Sequence, residues 1–336
     1  MLQIQLEKPG QFIAVDRPEP IPGDSEALVR VDSIGVCGTD LHAFAGRQPF
    51  FSYPRVLGHE LSVEVIEPGG KPGALRRGLR CAVEPYLNCG HCIACRRGKT
   101  NCCETLKVLG VHVDGGMQPL LAVPAHKLHA SAILDYEQLA LVETLGIGAH
   151  AVERAEIGRD DYVLVIGAGP IGLSVVQFAL LSGAKLAVMD LSPARLEFCR
   201  AQFGVGHTMT PGDGPSRLRE IGGGDLPTIV FDATGNPASM ASTFELAAHG
   251  GQIVFVGLFQ GDVVFNDPNF HRRELTLCAS RNGLSGTFRT IIGQMERGEI
   301  DTKPWITHRF ALAETPESFP RTARAPGLLK AMIHVE

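Results

Sequence analysis

Between residues 162 and 190 the chain reads as strand, glycine loop, helix, strand and acid, and this stretch constrains the fold more than any other. Tyr162–Ile166 is an unbroken apolar run, which suits a strand buried on both faces of a parallel sheet. Gly167-Ala168-Gly169-Pro170-Ile171-Gly172 follows and opens a helical stretch to Ser182. Each glycine has a physical task here. Gly167 permits the tight turn, Gly169 lets the backbone approach a pyrophosphate, and Gly172 allows the helix to pack close to the strand. The helix N-terminus, with Pro170 and Ile171 in its first turn, attracts the anion. Asp190 ends the next strand, 18 residues after Gly172. A carboxylate there accepts hydrogen bonds from both ribose hydroxyls and repels a 2′-phosphate, so the expected cofactor is NAD and not NADP. Arg195 is placed to line the adenosine ribose.

Apolar strands continue to alternate with helices after this unit. Strands are expected at 186–189, 228–231 and 252–256, and helices at about 146–156, 193–203 and 237–249. Such alternation means βαβ units and a doubly wound α/β sheet, a Rossmann domain over residues 146–270. Residues 1–145 read differently. Short apolar runs such as 27–31 and 61–66 are separated by Pro/Gly clusters, as in a compact β-rich unit. Residues 271–336 return to mixed strands and end on an apolar strand at 328–335. The two chain ends are therefore expected to form one domain around the inserted sheet.

Nine cysteines are present, and five of them fall between Cys89 and Cys103. Cys89, Cys92, Cys95 and Cys103 offer four thiolates from one tight loop and the turn after it. Four sulfurs make a closed tetrahedral zinc site, which is structural because no position is left for water. Cys102 is an alternative fourth ligand, and His91 is expected at the surface. Two smaller groups, Cys37-Gly-Thr39-Asp40-Leu-His42 and Gly58-His59-Glu60, carry little weight alone.

Together, in this order, the Cys37/His42 pair, Gly58-His59-Glu60, the four-cysteine lobe and the Gly167–Gly172 loop resemble the zinc-containing medium-chain dehydrogenases, in particular their polyol and sugar-acid branch. The resemblance covers nearly the whole chain. It implies a GroES-like β-rich catalytic domain made by residues 1–145 and 271–336, with the active site in the cleft beside the Rossmann domain. It implies two zinc ions per subunit. Cys37 and His59 match ligands of the catalytic zinc, and Glu60 matches the acid that ligates directly or holds the zinc water. Glu143 matches the acid found where simple alcohol dehydrogenases have a third ligand, although Thr144 follows it where the family more often has proline. Asp40 matches the partner that orients the zinc histidine.

The implied reaction transfers a hydride from a secondary alcohol to NAD⁺. Zinc lowers the pKa of the bound hydroxyl, Thr39 accepts its proton, and His42 carries it to solvent. Thr234 and Gly235 are expected to border the cofactor, and Val256 and Gly257 to meet the nicotinamide. Arg281 is suited either to a substrate carboxylate or to the cofactor. Arg272 and Arg273 resemble the sugar-acid group or form a solvated edge. Phe50, Phe51 and Tyr53 are candidates to wall the pocket. The expected substrate is a small polar alcohol, a polyol or an aldonate. Simple alcohols, L-threonine, or a zinc-stabilised nucleotide-binding protein without catalysis are the alternatives.

Composition narrows the partners. A net charge of −5 leaves no basic footprint for nucleic acid. No apolar stretch of ~18 residues or more is present to span a membrane. The start MLQIQLEKPG has no apolar core of a signal peptide, and the odd cysteine count argues against a disulfide framework. A cytoplasmic homodimer or homotetramer is expected.

Overall fold

The computed structural model describes residues 1–48, 51–69 and 75–336. These divide into two compact units, Met1–Glu143 with Leu284–Glu336, and Thr144–Gly283.

Among the described residues of the second unit, six strands form one sheet in the spatial order 207–209, 185–189, 162–166, 229–232, 252–255, 276–279. Every pairing in it is parallel. The order therefore reverses beside Tyr162–Ile166, and ligands of such sheets bind at the carboxyl ends of the strands at that reversal. All five residues of that strand are buried, which explains their unbroken apolar run. Helices start where the sequence supplies caps. Ser192 accepts from the Arg195 N–H ahead of Pro193–Phe203, and Asn236 accepts from Ala238 and Ser239 ahead of Pro237–Leu246.

Two boundaries differ from the sequence expectation. The sheet unit ends at Gly283 rather than 270, because Thr276–Ala279 is its sixth strand. That strand lies at the sheet edge and is largely exposed, so it lacks the buried apolar run that marks its neighbours. The helix expected from 146 begins at Val142, directly after the short helix Tyr136–Ala140 that Asp135 caps. The earlier start puts Glu143 in a first helical turn.

Among the described residues, the first unit is built on a seven-stranded, mostly antiparallel sheet. Its path is 306–311, 330–334, 26–36, 60–67, 80–83, 128–130, and Leu120–Pro124 also pairs with Glu26–Val36. The last strand, Lys330–His334, thus lies inside the sheet between Ile306–Ala311 and Glu26–Val36. Its core includes Ile4, Val29, Ile34, Leu61, Val63 and Ile333, all nearly inaccessible to water. No helix among the described residues is long and apolar enough to cross a membrane.

Candidate metal centres and dinucleotide site

Strand pairing assembles the first centre. Cys37 follows the strand Glu26–Val36 and precedes the helix Gly38–Phe44, while His59 and Glu60 stand at the start of Glu60–Glu67. Gly35 pairs with Glu60 across the two strands. A Cβ on Gly35 would collide with the Glu60 carboxylate, so only glycine leaves that carboxylate its place. One ligand atom each from Cys37, His59 and Glu60 lies within 4.8 Å of the others.

The fit to a cation is visible in what these groups lack. His59 Nδ1 and Asp40 Oδ1 are buried and have no hydrogen-bond partner, although only 3.7 Å separates them. The other Asp40 oxygen accepts the Cys37 N–H at 2.8 Å. Burial opposes a charged His59, yet Asp40 and Cys37 lift its pKa well above the ordinary value. A site whose neighbouring acids favour a positive charge at this spot is one that suits a dication. Thiolate, imidazole and carboxylate are also zinc's preferred donors.

Glu60 is further restrained by a residue the sequence reading passed over. Lys330, 1% exposed, donates to both Glu60 oxygens at 2.7 Å and to the Val36 carbonyl at 3.2 Å. All three ammonium donors are thereby used. Burial disfavours the Lys330 cation, but Glu60, Cys37 and Glu143 together outweigh this, and the lysine pKa is raised. A single lysine inside an apolar strand was the available signal.

Glu143 is buried close by but is not one of the three mutually close ligand groups. Burial raises its pKa, against the pull of His59. Its Oε1 accepts the hydroxyl of Tyr86, a second residue missed in the sequence. Tyr86 is itself buried, and burial and the Glu143 charge push its pKa well up, so it remains a donor. Thr39 and His42 lie on the helix Gly38–Phe44 beside Cys37, the first half-buried and the second exposed. Partial burial and Arg47 lower the His42 pKa. Phe51 and Tyr53 pack on the sheet core, with ring centroids 4.8 Å apart, and so serve packing. Phe50 lies outside the described residues.

The second centre is local. Sulfurs of Cys89, Cys92, Cys95 and Cys103 lie within 4.8 Å of one another, and Cys102 is exposed. Backbone N–H groups of Cys89, Cys92 and Cys95 point at Cys103, Cys89 and Cys92 sulfurs at 3.3, 3.4 and 3.5 Å. N–H donation by His91 and Cys92 lowers the Cys89 pKa to about 6, so a thiolate is favoured before any metal arrives. Four thiolates this close repel one another unless a cation holds them, and they fit a closed zinc site.

In the sheet unit, the glycine loop forms a cradle that side chains would fill. A Cβ on Gly172 would collide with the Gly167 carbonyl, and one on Gly257 with the Gly235 backbone. Gly167 has φ +96°, and its Cβ position is 3.1 Å from Thr234 Cγ2. Asp190 accepts the Ala168 N–H at 2.6 Å and the Ser192 N–H at 2.7 Å, tying the loop to the second strand. Each oxygen keeps a lone pair for a ribose hydroxyl. Arg195 Nη1 lies 3.7 Å from the Gly169 Cβ position, beside Pro170 and Ile171 at the helix start. Thr234 is fixed by two bonds to buried Asp232, and Val256 and Gly257 donate N–H groups to the Asp232 carbonyl. Arg281 is exposed just past the sixth strand. Arg273 is engaged with Glu245 and the Ala247 carbonyl, which removes it from the substrate candidates.

Two family models match the chain, an alcohol dehydrogenase GroES-like domain over residues 23–132 and a zinc-binding dehydrogenase over 170–297. The L-galactonate-5-dehydrogenase of Escherichia coli K12 is 44% identical over 94% of this chain and 93% of its own. The chain belongs to the zinc-binding medium-chain dehydrogenases. The sorbitol dehydrogenase of Bacillus subtilis is 29% identical over 94% of this chain and 92% of its own. A solved Escherichia coli CFT073 structure, described as a short chain alcohol dehydrogenase complexed with NADH, superposes with a TM-score of 0.92 at 30% identity, covering 99% of both chains. This dehydrogenase brings the four lobe sulfurs together and packs Gly172 and Gly257 against neighbouring backbone.

Proposed function

We propose that this dehydrogenase oxidises a secondary alcohol of a polyol or sugar acid and passes the hydride to NAD⁺. The observation that carries the reading is the convergence of half-buried Cys37 with buried His59 and Glu60, one ligand atom of each within 4.8 Å of the others. The relative named for L-galactonate supports the sugar-acid class. Asp190, with its acceptor oxygens at the end of the second strand, supports NAD over NADP.

Cys37 and His59 would hold the catalytic zinc with Glu60 or Glu143, and Cys89, Cys92, Cys95 and Cys103 the structural one. When bound, zinc supplies Lewis acidity toward the substrate hydroxyl and NAD⁺ supplies the hydride acceptor. Asp40 orients His59 through its Nδ1 edge. Thr39 takes the hydroxyl proton at Oγ1 and His42 hands it to solvent. With its pKa held down, His42 is neutral near pH 7 and ready to accept. Gly167, Gly169, Pro170, Ile171 and Gly172 receive the pyrophosphate. Arg195 and Thr234 flank the adenosine half, and Val256, Gly257 and Arg281 the nicotinamide half.

The exposed sixth strand supports assembly. Leu277 on it is 40% exposed, and an uncovered sheet edge invites pairing with another copy. We read the chain as a cytoplasmic homodimer or homotetramer closed at this edge, which light scattering of Leu277→Lys against the parent would test.

A screen of NAD⁺ reduction with aldonates, polyols, L-threonine and simple alcohols, each with and without a chelator, tests the whole reading. Turnover of an aldonate or polyol that the chelator abolishes is expected. Preference for threonine or a simple alcohol would overturn the substrate class, and no turnover of any would favour a non-catalytic nucleotide-binding protein.

A further inference from the structure

Glu60 and Glu143 are both buried near Cys37 and His59, but they are held by different means. Glu60 gives both oxygens to the Lys330 ammonium. Glu143 accepts instead a neutral donor, the Tyr86 hydroxyl, at one of its oxygens.

Tyr86 is in turn fixed from both sides. Its neighbours Glu84 and Asn88 are tied to one buried ammonium, Lys127, which is 3% exposed. Lys127 Nζ donates to Glu84 Oε1 and, at 3.0 Å, to Asn88 Oδ1. The Glu84 N–H returns a bond to the Lys127 carbonyl at 2.8 Å. His129 at 3.1 Å and Ser285 complete the Glu84 carboxylate. The five-residue span 84–88 is therefore clamped at its ends, and its middle ring packs edge-on to Phe288, with centroids 6.2 Å apart. Asn88 also donates its Nδ2 to the Cys95 sulfur at 3.7 Å, so that end of the span serves the thiolate lobe, whereas the Glu84 end and the Tyr86 hydroxyl touch none of its sulfurs. A lysine spent inside a protein on two residues of one short span is costly unless their placement matters.

We propose that Tyr86 is a positioning residue for the catalytic metal, holding Glu143 toward it, and that Lys127 positions Tyr86 by clamping Glu84 and Asn88. The proposal rests on the metal centre argued above and assigns the setting of its second carboxylate to residues that ligate nothing. Tyr86→Phe removes the hydroxyl alone and leaves the ring's packing intact.

The test uses the full chain, depleted of metal and refilled with Co²⁺, whose visible bands distinguish a thiolate lobe from a mixed nitrogen–oxygen–sulfur centre. Affinity is read by competition with a chromophoric chelator. Tyr86→Phe should weaken the mixed site on the order of tenfold or more and shift its bands, while the lobe's bands stay as they are. Lys127→Met should move the mixed site the same way, and the double variant should be no weaker than the weaker single. If Lys127→Met fails to fold, Ser285→Ala, which removes one donor from the Glu84 carboxylate and touches no lobe cysteine, replaces it with the same expected direction. Two Co²⁺ ions per parent chain with Tyr86→Phe indistinguishable from it would overturn the inference alone. One ion per parent chain, in the lobe, would overturn the metal centre and the inference together.

Discussion

Removing Lys330 is the sharpest probe of how the catalytic unit tolerates its buried acids. Lys330 and Glu60 are each at most 1% exposed, and the ammonium bonds both carboxylate oxygens at 2.7 Å. Lys330→Met keeps the apolar stem of the side chain and deletes the ammonium. Glu60 is then left buried without its counter-ion, which costs about 3–5 kcal/mol when one partner of such a pair is lost. At roughly 2–4 °C per kcal/mol for a unit of this size, the melting temperature should fall by about 6–20 °C. Zinc should blunt that loss, since a dication beside Glu60 replaces the missing charge, so the fall should be larger after chelation. The double variant Glu60→Gln/Lys330→Met should recover most of it, because no charge is stranded. The assay is thermal unfolding by circular dichroism, with and without chelator. A chelated Lys330→Met protein melting within about 2 °C of its parent would refute the reasoning, because that shift corresponds to about 1 kcal/mol or less.

Other outcomes follow from the same geometry. Cys37→Ala should abolish turnover yet leave NAD⁺ affinity, read by nicotinamide fluorescence, unchanged; wild-type turnover would refute the ligand assignment. Cys95→Ser should lower the melting temperature and release one zinc per chain while changing catalytic constants less, checked by elemental analysis of the purified variant. His42 has a pKa below its ordinary 6.5, so it is neutral above that lowered value and loses its acceptor as pH falls through it. The acid limb of kcat should therefore lie below pH 6.5, and His42→Ala should remove that limb; an unchanged pH profile would exclude the relay. Asp190→Ser should raise kcat/KM for NADP⁺ relative to NAD⁺ by about tenfold or more, as a repelling charge leaves the ribose site.

Legibility in the sequence tracked how local each feature is. The thiolate lobe was readable because its ligands lie on one loop whose spacing is the chemistry. The glycine cradle was readable because strand, turn and helix are contiguous, and its first strand is buried on every residue. Cys37 and His59 are joined only by pairing of Glu26–Val36 with Glu60–Glu67, so spacing alone left them weak and the family resemblance carried them. The sixth strand went to the wrong unit because an exposed edge strand shows no buried pattern. Lys330 and Tyr86 were missed since their importance lies in partners 270 and 57 positions away, which no periodicity reports.

The distance between Glu60 and Lys330 along the chain also orders events at the ribosome. The sheet unit is a continuous piece from Thr144 to Gly283, so all of it is made before residue 284. Its companion is not continuous: an interior strand and the neutralising ammonium arrive together, with Lys330–His334, only after the whole sheet unit has been made. Until then Glu60 has no ammonium to accompany it into the interior and is better left in water. A premature stop before residue 330 should accordingly yield a chain with one folded half and one open half, a ready substrate for proteases.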